Sequence, residues 1–341
     1  ANGAAAGARV GETLRSPSVG SGVVLLDRDQ HVSLGAPRGG AVERYEVVRV
    51  WGSPGDGAGE LRSPLGVAVD SQGFVYVADT SNHRIVKFTA TGESIAEWGH
   101  FSPSDHDDWD DGFDTPFGIA VDLRGNTYIA DCKNARIQHW TSDGVFVRSW
   151  GRAGRHRGPF SPPAGVAVDL AGNVFVSDGG NGLIQVFDGA TSRCQATWGG
   201  WSDALADGSF SRRVGYRGIA VDADGNVYAA DPGNHRVQKF TQYGRFSTAW
   251  GTLGHQPGQF HTPLGVAVDA DRHVYVVDSQ NNRVQKFTAD GGFLTEWGRH
   301  GTSHGEFNDP VGIAVADMGL VHVTDSNNHR IQVFAPRSNQ P

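Results

Sequence analysis

The apolar positions of this chain fall in short, closely spaced runs. In SPLGVAVDSQGFVYVADTSNHRIVKF, residues 63–88, the runs GVAV and VYVA are four residues each and rich in β-branched and aromatic side chains. Runs this short, bounded by turn residues, predict strands. The SQG between them supplies turn residues. A third run, RIVKF, follows the polar stretch DTSNH, and a fourth, SIAEW, ends at Trp98 and is followed by Gly99.

The same pattern returns five times, as TPFGIAVDLRGNTYIADCKNARIQHW, PPAGVAVDLAGNVFVSDGGNGLIQVF, GYRGIAVDADGNVYAADPGNHRVQKF, TPLGVAVDADRHVYVVDSQNNRVQKF and DPVGIAVADMGLVHVTDSNNHRIQVF. Its first glycines, Gly66, Gly118, Gly165, Gly218, Gly265 and Gly312, are 52, 47, 53, 47 and 47 residues apart. Thirteen residues after each glycine stands an aspartate: Asp79, Asp131, Asp178, Asp231, Asp278 and Asp325. Four antiparallel strands repeated at this period predict the blades of an all-β propeller.

Six three-strand units are matched by six strands ending in Trp-Gly, at Trp51, Trp98, Trp150, Trp198, Trp250 and Trp297. The first Trp-Gly strand precedes the first unit, and none follows the last. The expectation is therefore a six-bladed propeller over residues 45–336, closed by an N-terminal strand that completes the last blade and removes an open edge. Residues 337–341 form a tail. Residues 1–44 form an extension whose stretch 11–35 echoes the repeat, which leaves seven blades with a degenerate first blade, or a cap, as the alternative.

Charge and composition narrow the function. The chain of 341 residues has a net charge of −8 and two cysteines. No basic footprint points to nucleic acid, no apolar run approaches the roughly 18 residues of a membrane span, and a disulfide scaffold is excluded. The first residue is Ala1, so the compartment is extracytoplasmic if a signal peptide has been removed and cytoplasmic otherwise. A monomer is expected.

Pro-x-Gly-Val-Ala-Val-Asp, Tyr-Val-Ala-Asp, Asn-His-Arg-Ile/Val and Trp-Gly together resemble the NHL repeat, over residues 45–336. The resemblance implies a six-bladed propeller and leaves function open, because such propellers serve as enzymes, sensors and interaction platforms. A distant similarity reaches the peptidyl-hydroxyglycine amidating lyase propeller. That family implies histidine zinc ligands at the blade openings and a tyrosine after Ser-Asp-Gly. Here the SDGG segment, residues 177–180, has Gly180 in that place, and no blade opening carries histidine.

Loops of an antiparallel blade alternate between two faces, so the Asp-x-x-Asn-His-Arg loops share a face with the connections between blades. Ten of the fourteen histidines fall there. Two connections, residues 99–116 and 199–216, are long, and long loops on a rigid ring carry function. The first contains HFSPSDHDDWDDGFD, residues 100–114. Its carboxylates suit a hard cation, so His100, Asp105, His106, Asp107, Asp108, Asp110 and Asp111 are the candidate ligands for calcium or zinc. An EF-hand register starting at Asp107 fails, since it puts Trp109 at a ligand position and Gly118 where the glutamate belongs.

Leu65, Phe117, Ala164, Arg217, Leu264 and Val311 should ring the central mouth. Arg217, the one charge there, is suited to clamp a carboxylate or phosphate; Tyr216 stands beside it where the other blades have proline. Trp109 and Trp201 offer aromatic surface in the long loops, and Cys132 follows Asp131 on the same face. The recurrent aspartates and arginines read as structural ties; Phe117, Cys132, Gly180, Leu183 and Arg217 break the repeat. The expected function is binding of a peptide, glycan, small molecule or protein on this face. The alternative is a lyase-, hydrolase- or cyclase-type enzyme, metal-assisted or not, at the central mouth.

Overall fold

The computed structural model describes residues 43–103, 111–151, 160–202, 206–211 and 218–337. Six four-stranded antiparallel sheets stand in a ring. Blade 1 comprises Val67–Val69, Val75–Asp79, Arg84–Phe88 and Ser94–Trp98. Blade 2 comprises Pro116–Val121, Thr127–Asp131, Arg136–Trp140 and Phe146–Trp150. Blade 3 comprises Pro163–Val168, Asn173–Asp178, Leu183–Asp188 and Cys194–Gly199. Blade 4 comprises Ile219–Val221, Val227–Asp231, Arg236–Phe240 and Phe246–Trp250. Blade 5 comprises Pro263–Val268, Val274–Asp278, Arg283–Phe287 and Phe293–Trp297. Blade 6 comprises Pro310–Val315, Val321–Asp325 and Arg330–Pro336, and its outer strand is the N-terminal Tyr45–Trp51.

The innermost strands of blades 1 to 6 touch in an unbroken circuit that returns from blade 6 to blade 1. The ring therefore closes at six, with no gap for a seventh blade. Its closing strand is well anchored. Tyr45 stacks on Trp297 at 4.1 Å between ring centres, and its hydroxyl lies 3.0 Å from that of Tyr275. Lys286 Nζ reaches Glu43, just ahead of the strand, at 2.7 Å.

Two glycines per blade explain the motifs. The Trp-Gly glycine takes a left-handed φ, between 75° and 103° in the six blades. A Cβ there would also strike the buried anchor of the following loop: Leu61 at 2.9 Å for Gly52, and Phe260 at 2.4 Å for Gly251. Only glycine meets both demands. The Pro-x-Gly glycine solves a different problem. Its missing side chain lets each innermost strand approach its neighbour's backbone. A Cβ on Gly66 would lie 2.1 Å from Phe117 O, on Gly265 2.3 Å from Val311 O, and on Gly312 2.1 Å from Leu65 O.

The outer tryptophans supply the remaining interblade contact. Trp98 meets Tyr76 of its own blade edge to face at 6.2 Å and lies 6.3 Å from Trp140 of the next. It covers Gly144 in that blade's outer hairpin, where a Cβ would come within 2.9 Å. Each such ring removes on the order of 200 Å² from water, a gross contribution of about 5 kcal/mol.

Replacing Gly265 by alanine should overpack the junction of blades 5 and 6. The expected loss is about 1–3 kcal/mol in denaturant unfolding. Unchanged stability would contradict the close-approach account.

Candidate functional site

The face that carries the interblade connections is organised by one buried carboxylate per blade. Asp79 Oδ1 accepts the backbone N–H of Arg62 in the connection, at 2.7 Å. Its Oδ2 accepts from Asn82 Nδ2 at 2.7 Å and Arg84 Nε at 2.9 Å. The guanidinium then donates to the carbonyls of Asp56, Gly57 and Glu60 in the same connection. Equivalent Arg–Asp pairs, at 2.6–3.0 Å, occur at Arg136–Asp131, Arg236–Asp231, Arg283–Asp278 and Arg330–Asp325. Buried polar atoms need such partners, and this set satisfies loop backbone that no ladder serves.

The histidines of the repeat have a second task. His83, His235 and His329 accept at Nδ1 the backbone N–H of Thr115, Thr262 and Ser63, at 3.3, 3.2 and 3.0 Å. Those three residues open the next blade with left-handed φ values of 63°, 58° and 47°, each just before proline. Asn282 replaces histidine in blade 5, and its Oδ1 serves Asp309 at 3.0 Å. An imidazole that accepts at Nδ1 carries its proton on Nε2. That tautomer denies Nε2 to a metal.

Blade 3 departs from this plan. Leu183 replaces the arginine, so no guanidinium among the described residues reaches Asp178, which accepts from Ser161 N, Asn181 Nδ2 and Gln185 Nε2. Burial pushes the Asp178 carboxyl above the usual carboxylate range, against the lowering effect of those bonds. Gly182 occupies the histidine position, and Trp201 packs onto it; a Cβ would come within 2.7 Å of the indole. A side chain at Gly180 would overlap Ser161 O, at 1.0 Å, so the amidating lyase's tyrosine position has no room for one.

The mouth of the ring is apolar. Leu65, Phe117, Leu264 and Val311 line it with the blade-opening glycines. Below them sits a collar of Val67, Ile119, Val166, Ile219, Val266 and Ile313. No ionisable side chain lines the cup among the described residues. Outside the mouth, Phe101 and Leu253 stand 57% and 61% exposed on the same face. Phe101 meets His83 edge-on at 4.6 Å.

The other candidates are dispersed. Cys132 is 2% exposed, and burial, then the Asp131 charge, pushes its thiol up to about 12. Cys194 is exposed, and both cysteines are free. His100 Nδ1 lies 3.9 Å from Asp111 Oδ1. The acidic insertion is tied at both ends, where Ser102 O accepts from Asn134 and Gly112 O from Arg136 and Gln138. Asp105, His106, Asp107, Asp108, Trp109, Asp110, Tyr216 and Arg217 lie outside the described residues. Among those described, no three His, Cys, Asp or Glu side chains converge as metal ligands.

The model of the NHL repeat matches residues 61–88, 160–187, 217–240, 260–287 and 307–334. These are the three inner strands of every blade but blade 2, with their anchoring loops. The chain belongs to the NHL-repeat β-propeller family. It is similar to the E3 ubiquitin-protein ligase TRIM71 of Rattus norvegicus, at 40% identity over 70 residues, which are 20% of this chain and 7% of that protein. The aligned part is thus less than a tenth of that relative's length.

Among solved structures, an auxiliary nutrient binding protein from Bacteroides thetaiotaomicron aligns with a TM-score of 0.61 at 13% identity, over 86% of this chain and 77% of that one. A gluconolactonase from Xanthomonas campestris aligns with a TM-score of 0.60 at 13% identity, over 89% and 99%. At such identity the likeness is one of fold. The histidine latches, the glycine–carbonyl contacts and the exposed Phe101 were missed by sequence reasoning. The left-handed residue before each proline had no signal in composition.

Leu183→Arg should supply the absent guanidinium to Asp178. A carboxyl raised on folding stabilises the fold below its unfolded pKa and loses that contribution as pH rises through its folded value. The variant should therefore gain about 1–2 kcal/mol at pH 7. That gain should fade as pH falls through the Asp178 range. Equal or lower stability at pH 7, read by thermal melting, would contradict this.

Proposed function

We propose that this propeller is a binding module that seats an apolar side chain of a peptide or protein in the mouth of its interblade face. The observation that carries the reading is the lining of the cup. Leu65, Phe117, Leu264 and Val311 present a concave apolar surface on rigid strands, and Phe101 and Leu253 add exposed apolar side chains in the interblade connections. Concave, mostly apolar sites with few polar groups are the usual form of a ligand site.

The chemistry of the face supports binding over catalysis. Its recurrent aspartates and arginines are bound to one another and to loop backbone. Three of its histidines are acceptors for blade-opening backbone. The Cys132 thiol is held far from the pKa of a nucleophile by burial. The same fold serves an auxiliary nutrient binding protein, which supports this reading. Arg217, placed by sequence at the opening of blade 4, gives the ligand class a second element: a carboxylate next to the apolar group.

The test is selection of peptides from a random library on the whole chain, followed by binding to Phe117→Glu and Leu264→Glu. Selected peptides should share a large apolar residue, and each variant should weaken them at least about tenfold. Peptides that bind both variants as well as the parent would overturn the reading.

A further inference from the structure

On the opposite face, where the short turns lie, three junctions between blades are bridged by lysine. Lys87 Nζ donates to Ser142 O of blade 2 at 3.0 Å, Lys239 to Asp290 of blade 5 at 2.9 Å, and Lys286 to Glu43 at 2.7 Å. Each lysine lies over a tyrosine of its own blade, Tyr76, Tyr228 or Tyr275, at 5.2–5.6 Å from the ring centre. Blade 2, the blade not matched by the NHL model, puts His139 in this place. Its ring stacks on Tyr128 at 4.5 Å and 11° and does not cross the junction. Arg148 crosses instead, donating to the carbonyls of Ala190 and Gly189. A cleft open to solvent remains between blades 2 and 3.

The polar groups of this cleft are under-used. His139 is 7% exposed, and neither ring nitrogen has a hydrogen-bond partner; Arg148 Nε is also buried without one. Buried donors and acceptors left without partners are destabilising. The turn aspartates have capacity to spare. A carboxylate has about four acceptor sites. Asp122 uses three, on the backbone of Arg124 and Asn126 and on Asn126 Nδ2. Asp169 uses three, on Ala171, Asn173 and Asn173 Nδ2.

In blades 1, 4 and 5 the equivalent aspartate also accepts a tyrosine hydroxyl, from Tyr76, Tyr228 or Tyr275, at 2.9–3.0 Å. Tyr128 makes no such bond to Asp122, and blade 3 has Phe175, which has no hydroxyl to give. The cleft is thus flanked by two carboxylates with a vacant place for an O–H donor. Its rim carries Leu123 and Leu170, both exposed.

Charge argues for a neutral ligand. Arg124 and Arg148 stand against Asp122, Asp169 and Asp188. Burial and the Arg148 charge lower the His139 imidazole to about 4, so it is neutral and offers one donor and one acceptor. We propose that the turn-face cleft between blades 2 and 3 is a second binding site, built for a neutral pyranose unit, free or at the end of a glycan. Ring hydroxyls would donate to Asp122 and Asp169 and exchange hydrogen bonds with His139 and Arg148. The leucines would cover the C–H face of the sugar.

The probes are the methyl pyranosides of glucose, galactose and mannose, with maltotriose and lactose, and methyl glucuronide as the anionic control. The readout is the His139 Cε1–H resonance of the whole chain, assigned by its loss in His139→Lys, which supplies the lysine that blades 1, 4 and 5 have there. At least one neutral sugar should shift it saturably. Ala171→Trp, which fills the cleft from its exposed rim, should weaken that sugar at least about tenfold. Response to the simple glycosides identifies a free sugar as sufficient; response to the oligosaccharides alone identifies a glycan end. No shift with any sugar, a shift with glucuronide alone, or full binding by a folded Ala171→Trp variant would overturn the proposal.

Discussion

The structure depends on a carboxylate hidden from water at the end of each second strand. A buried charge is costly unless it is paired and hydrogen-bonded. Here the cost is offset by recruiting a local asparagine, an arginine one turn on, and the backbone of the connection arriving from the previous blade. One residue type thus fastens the loop between the second and third strands to the connection between blades. Five of the six sites complete the set with arginine.

This fastening determines which residues remain for ligands. The ionisable side chains that recur around the ring are engaged in holding it together. Among the described residues, the cup at the centre of the interblade face is left apolar. What the repeat leaves unfinished on the opposite face is polar: His139, Arg148 Nε and the spare acceptors of Asp122 and Asp169. Symmetry builds the scaffold, and departures from it mark where something else can bind.

The fold was legible because its constraints act locally. Gly265 and Gly312 recur for want of space, Trp98 and Trp250 recur to cover the neighbouring hairpin, and the Trp-Gly count alone implied that residues 45–51 close blade 6. The site was less legible, because it arises between blades. Nothing in the string NHR says that His235 Nδ1 faces the backbone of Thr262, twenty-seven residues on. Phe101 stands in the same insertion as the aspartates, and its ring is 57% exposed. The exchange of lysine for His139 was visible in RIQHW, but its meaning required the neighbouring blade's hairpin to be in place.

The central claim is that the polar residues of the repeat are architecture, which makes the state of its histidines decisive. A long-range ¹H–¹⁵N spectrum of the whole chain reports which imidazole nitrogen carries the proton. The account predicts Nε2–H with an unprotonated, accepting Nδ1 for His83, His235 and His329, unchanged on adding zinc or calcium. Protonated Nδ1 atoms, or Nε2 resonances displaced by metal, would contradict it and make these histidines agents of chemistry.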